Sequence, residues 1–250
     1  MPLMTASPLS PPPLLGSLRE AGPVALFVDF DGTLVEIAPT PDAIDVPARL
    51  GERLAALSDG LDGACALVSG RSLQDLARYL GGPLPVTCAG SHGADIRTAE
   101  GTRLGAAPEG VPDAIAEPMR AYALREGLDY EAKPHGAALH YRALPIRGPA
   151  AQAFAKALAK AHGWSAQAGK SVIELVPAHT DKGSAVRTLM KTAAFSGARP
   201  CFIGDDLTDE KGMAACTALG GTGILVGDRE PTIAQHRLPD VASVYRWLGL

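Results

Sequence analysis

The chain has 250 residues, of which 23 are basic and 27 acidic, leaving a formal charge of −4, with 46% apolar and 20% charged residues. That length predicts one or two domains with a core that needs no disulfide or metal staple, and the mild acidity speaks against a general nucleic-acid binder, which carries a basic stripe. No uncharged apolar run of about 18 residues occurs, which excludes a membrane-spanning helix.

Residues 1–16 hold five prolines and no Lys or Arg, unlike a secretory signal, so residues 1–21 are expected to form a flexible tail. Val24–Val28 is a continuous apolar run that stops at an Asp/Gly cluster, as suits a parallel strand buried on both faces. Pro47–Ser58 spaces Leu50, Leu54 and Leu57 as a helical face, and Ala64–Val68 reads as a second strand. Ser72–Leu80 is a helix with Ser72 as its cap, and Val86–Ala89 is a third strand. The middle of the chain changes rhythm. Asp113–Arg125 and Pro149–His162 look helical, and Tyr130–Lys133, Ala137–Arg142, Ser165–Ala168 and Val172–Val176 look like strands joined in pairs by turns. The first rhythm returns with a helix over Lys182–Thr192, a strand over Pro200–Ile203, a helix over Thr208–Leu219, a strand over Gly223–Val226 and a last helix over Val241–Leu248, capped by Asp240.

Repeated β–α units predict an α/β fold with a doubly wound parallel sheet. The αββαββ order in the middle predicts a small α+β module inserted into it. The expected division is a core of residues 22–104 and 178–250 and an inserted module of residues 105–177. Cys65, Cys88, Cys201 and Cys216 form no CxxC pair. They read as buried thiols of a reducing compartment, which makes a cytoplasmic protein the expectation.

Chemistry concentrates at strand ends. Asp29-Phe30-Asp31-Gly32-Thr33-Leu34 follows the first strand directly, which places two carboxylates at the edge where open α/β sheets bind ligands. Asp and Gly also make plain turns. Gly204-Asp205-Asp206-Leu207-Thr208-Asp209-Glu210 follows another strand with four acids in six residues. An acidic helix start accounts for the last two acids. The like charges of Asp205 and Asp206 call for a hard divalent cation, and oxygen-only donors favour Mg2+ over zinc. Ser69, in Val68-Ser69-Gly70-Arg71, sits where a hydroxyl and a helix N-terminus hold a phosphate, or simply where a loop turns into a cap. Lys182 opens a helix, where a cation is disfavoured and an anionic partner is expected.

The order D-x-D-G-T, S-G-R, K-G, G-D-D-x-x-D resembles the four motifs of the haloacid dehalogenase superfamily of phosphotransferases. The resemblance implies that Asp29 is a nucleophile forming an aspartyl-phosphate, and that Asp31 is the general acid and then base. It further implies that Ser69 and Lys182 bind phosphate. Mg2+ would be held by Asp29, the backbone carbonyl of Asp31 and Asp205, with Asp206 and Asp209 orienting its surroundings. The inserted module resembles the cap of the trehalose-6-phosphate phosphatase family. The matching segments are Gly90-Ser91-His92-Gly93-Ala94, with Asp95 where Glu is more usual, Glu131-x-Lys133, His140-Tyr141-Arg142, and Lys170-x-x-x-Glu174. Asp181-Lys182-Gly183 departs from the usual N-K-G by its first residue. By that resemblance His92, Glu131, Lys133, Arg142, Lys170 and Glu174 bind the sugar of trehalose 6-phosphate. A separate trehalose-phosphate synthase would supply that substrate, with no nucleic-acid or membrane partner. Sucrose 6-phosphate, glucosyl-phosphoglycerate, or sugar-phosphate sensing without catalysis remain open on the residues alone. His135 and His162 read as surface histidines, and Trp164 and Trp247 as packing.

Overall fold

A computed structural model describes residues 9–108 and 110–250. The elements follow in the order α1 (Leu15–Glu20), β1 (Val24–Val28), α2 (Leu50–Asp59), β2 (Cys65–Val68), α3 (Leu73–Tyr79), β3 (Thr87–Gly90), β4 (Asp95–Arg97) and β5 (Arg103–Leu104). The inserted module contributes α4 (Asp113–Glu126), β6 (Asp129–Lys133), β7 (Gly136–His140), α5 (Gly148–Ala161), β8 (Trp164–Gly169) and β9 (Val172–Pro177). The chain then returns with α6 (Lys182–Leu189), β10 (Arg199–Gly204), α7 (Asp209–Ala218), β11 (Thr222–Val226), β12 (His236–Leu238) and α8 (Val241–Leu248).

Two sheets result. The larger runs β12-β11-β10-β1-β2-β3-β4-β5, parallel from β12 to β3 and antiparallel from there to β5. All five residues of β1 are buried because both faces of the sheet are covered. Leu26 and Val28 point to one side, with Leu54 of α2, Leu76 of α3 and Trp247 of α8. Ala25 and Phe27 point to the other, with Val186 and Leu189 of α6 and Met213 of α7. The chain thus winds to opposite faces on either side of β1, and the strand order reverses between β1 and β10. A cleft opens there at the strand carboxyl ends.

The smaller sheet is antiparallel, β6-β7-β9-β8. Helices α4 and α5 cover one face through Ile115, Met119, Ala151, Ala155, Leu139, Ile173 and Leu175. Its other face carries a cross-strand row, Glu131–Ala138–Glu174–Gln167, set by the register. Burying polar side chains in a row is costly without partners, and this row faces the cleft.

Two features differ from the sequence expectation. Residues 9–21 are not a free tail: Leu15 is buried, Trp247 Nε1 donates to the carbonyl of Pro13 at 2.8 Å, and the Arg237 N–H donates to the carbonyl of Ser10 at 3.1 Å. The flexibility expected of residues 1–8 lies outside the described residues. Strands β4, β5 and β12 extend both edges of the sheet although their sequences carry no strand pattern. All four cysteines are free and buried. Among the described residues no helix is long and apolar enough to cross a membrane.

Candidate active site

Asp29 is the first residue past β1, and its N–H donates to the carbonyl of Ile203 on β10 at 2.9 Å. That bond ties the loop after β1 to the end of the neighbouring strand. Gly32, directly after the second carboxylate, Asp31, has φ +79°, and a Cβ there would lie 2.3 Å from Asp205 Oδ2. Only glycine provides both the left-handed backbone and the room for Asp205 to approach.

Asp29, Asp205 and Asp209 place carboxylate oxygens within 4.8 Å of one another. Lys182 reaches into the group from the start of α6, with Nζ 2.6 Å from both Asp29 Oδ1 and Asp209 Oδ1. The cation disfavoured at a helix N-terminus is therefore matched by two buried anions. Asp181 holds that helix end by a reciprocal cap with Ser184. Burial, then Asp209 and Asp205, push the Asp29 carboxyl well up against the pull of Lys182. Burial raises Asp209 as well, and burial and Asp209 raise Asp205 to about 7. Burial alone would discharge Lys182, but Asp209 and Asp29 hold it charged. Three carboxylates against one ammonium leave room for a divalent cation. Both Asp209 oxygens are engaged, by Lys182 and by the Asp206 N–H, whereas Asp205 Oδ1 is buried without a hydrogen-bond partner. The donor set is all oxygen, which fits Mg2+.

Ser69 is buried at the end of β2, beneath the cleft. Its Oγ accepts from the Arg71 N–H at 3.1 Å, and Gly70 and Arg71 line the space above it. The Asp31 side chain turns away from the acid group. Arg71 Nε donates to Oδ2 at 2.7 Å and Nη2 to Oδ1 at 2.6 Å. Arg71 was not singled out from sequence, although the S-G-R motif contains it. Arg229, also unforeseen, supports the acid loop by donating to the carbonyl of Asp205 at 3.1 Å and to the carboxylate of Glu210.

The inserted module roofs this group over a cavity of about 690 Å3, within the usual range for small-molecule sites. Glu131 and Lys133, two apart on β6, share one face, with Lys133 Nζ 3.9 Å from Glu131 Oε2. Lys133 donates to Glu174 Oε2 at 2.5 Å, and His140 Nε2 lies 2.8 Å from Glu131 Oε2. Gly136, opposite Lys133, has no Cβ to crowd Glu174; one would sit 3.0 Å from Oε1. His92 of the core reaches across, with Nε2 3.4 Å from Glu174 Oε2. Lys170, on the β8–β9 turn, lines the same cavity. Gln167, missed from sequence, is buried beside them and donates to the carbonyl of Thr180 at 2.6 Å. Arg142 also lines the cavity. Its Nη1 donates to the carbonyls of Ala38 and Pro39 in the core, at 3.0 and 2.8 Å. These bonds join the two modules at the cavity rim. Asp95 is used in packing, within 3.4 Å of Arg103 and 3.6 Å of Arg97.

A doubly wound sheet with buried carboxylates and a lysine at its switch point, under an inserted antiparallel cap, defines a phosphatase of the haloacid dehalogenase class, a phosphoric monoester hydrolase. The trehalose-phosphatase family model matches residues 27–241, and the chain belongs to that family. It is 38% identical over 241 residues to the trehalose-6-phosphate phosphatase of Escherichia coli strain K12, covering 95% of this chain and 90% of that one. It is 41% identical over 229 residues to a probable trehalose-phosphate phosphatase of Sinorhizobium fredii, covering 90% and 85%. A crystal structure of a trehalose-6-phosphate phosphatase related protein superposes with TM-score 0.70 at 27% identity, over 90% of this chain and 95% of that one. The Candida albicans trehalose-6-phosphate phosphatase C-terminal domain, at 22% identity, shares the fold with TM-score 0.80, over 98% and 100%.

Proposed function

We propose that the protein is a Mg2+-dependent phosphomonoesterase that hydrolyses trehalose 6-phosphate to trehalose and phosphate. The observation that carries this reading is one cavity with two unlike walls. The floor holds Asp29, Lys182 and Asp205, suited to a phosphoryl group, and the roof holds Glu131, Lys133, Lys170 and Glu174, suited to hydroxyls. Asp29 attacks phosphorus as the P–O bond to the sugar breaks. The leaving oxygen takes a proton from Asp31, because an alkoxide is a poor leaving group. Asp31 then accepts a proton from the water that attacks the aspartyl-phosphate, releasing phosphate and restoring the Asp29 carboxylate. Lys182 and Ser69 hold the phosphoryl oxygens, and Asp206 and Asp209 keep the acid loop in place. Asp29, Asp205 and the backbone carbonyl of Asp31 would hold Mg2+, which would supply positive charge against the transferring group.

Residues 105–177 act as the cap that selects substrate. A separate synthase supplies the disaccharide phosphate, and the reaction takes place in the cytoplasm, in keeping with four free buried thiols. The test is phosphate release across trehalose 6-phosphate, sucrose 6-phosphate, glucosyl-phosphoglycerate and glucose 6-phosphate, with and without Mg2+. A clear preference for trehalose 6-phosphate is expected. Faster release from another of the four would reassign the substrate, and no release from any would leave a binding protein.

A further inference from the structure

Of the acids at the sheet edge, Asp31 is the one whose two oxygens are both taken by a guanidinium, and its carboxylate stands outside the cluster of Asp29, Asp205 and Asp209. The guanidinium is itself held. Arg71 stacks over Tyr79 at 4.8 Å and over Phe30 at 5.8 Å, and its side chain is only 11% exposed. A two-point fork fixes both the position and the plane of a carboxylate, which a lysine ammonium cannot do. Its backbone N–H meanwhile holds Ser69 Oγ. One short loop after β2 therefore sets the phosphate-side hydroxyl and the acid–base carboxylate relative to each other.

We infer that Arg71 is a positioning residue for proton transfer: its two-point fork fixes the place and plane of the Asp31 carboxyl that serves the leaving oxygen. This rests on Asp31 being the acid–base group of the proposed reaction. The proton passes from Asp31 to the sugar oxygen as the P–O bond breaks, and returns from the attacking water. A leaving group that needs no proton, such as nitrophenolate, bypasses the first of these transfers.

The test compares kcat/KM for trehalose 6-phosphate and p-nitrophenyl phosphate, since kcat/KM reports formation of the aspartyl-phosphate and not its hydrolysis. Arg71→Lys should lower it by about ten- to a hundredfold on the sugar phosphate and by no more than about threefold on the aryl ester. A burst of nitrophenolate should appear, because water activation is slowed as well. Added to Asp31→Asn, the lysine change should cost no more than about a further threefold, since both act through one group. If Asp31→Asn alone damages both esters equally, the acid–base reading fails and this inference with it. If Asp31→Asn discriminates between the esters but Arg71→Lys does not, or if the two losses add in full, only the role of Arg71 is overturned.

Discussion

Asp29 is 4% exposed and shares Lys182 with Asp209, so its replacement by a neutral isostere should leave the packing in place while removing the nucleophile. Asp29→Asn is expected to retain less than about a hundredth of the activity with an unchanged circular dichroism spectrum. Residual turnover above that level would remove Asp29 from the role. A second prediction concerns Glu174. Burial by itself would raise its carboxyl, but Lys133 and His92 draw it down to about 2. Glu131, 3.9 Å from Lys133, and Arg71 are further charges that act on this group through Lys133. Because the folded-state value lies below the ordinary 4.5, the stabilisation is full above about pH 4.5 and is lost as pH falls to about 2. Its size is of order 3 kcal/mol. Wild type should therefore resist urea better than Glu174→Gln at pH 6, with the gap closing toward pH 2. A gap independent of pH would mean that the contact is not ionic.

At the scale of elements, the cap sheet performs two tasks on different residues. The row across β6, β7, β9 and β8 turns Glu174 toward the cavity, whereas Arg142, past β7, grips core carbonyls. Glu174→Ala should lower kcat/KM for trehalose 6-phosphate by about five- to a hundredfold, the worth of a buried hydrogen bond, and barely affect a small aryl phosphate. Arg142→Ala should lower turnover of both substrates, because it loosens the closed cap rather than one sugar contact. If Arg142→Ala is instead selective for the sugar, the guanidinium leaves the core when substrate binds and reads hydroxyls directly.

For the whole molecule, the acid and lysine group exists only because β1, β10, α6 and α7 deliver Asp29, Asp205, Lys182 and Asp209 to one edge of the sheet. Its uncompensated negative charge predicts dependence on a hard cation. Protein stripped with a chelator should be inactive, recover with Mg2+, and not recover fully with Zn2+, since the group offers no His or Cys ligand. Full activity of metal-free protein would show that Lys182 alone balances the carboxylates. Within the larger sheet the helices lie on both faces as the continuous apolar runs required. The motif residues Asp29, Ser69, Lys182 and Asp205 stand at strand or helix ends, where their spacing after apolar runs had placed them.

Those features were legible because they are local. A buried parallel strand needs an unbroken apolar run, a helix needs its 3–4 spacing, and a turn after a strand must carry its acids at the sheet edge. What the sequence could not state was which distant groups would meet. Strands β4, β5 and β12 span three, two and three residues, too short for a pattern, and arise by pairing with neighbours already in place. The docking of residues 9–21 depends on a Trp247 indole 234 positions beyond Pro13. The partner of Asp31 lies 40 residues away, and the carbonyls that hold Arg142 lie more than 100 away. Chain spacing carries no information about such contacts. They are chosen by where the folded backbone leaves a buried charge or an unpaired carbonyl, and only the tertiary structure decides that.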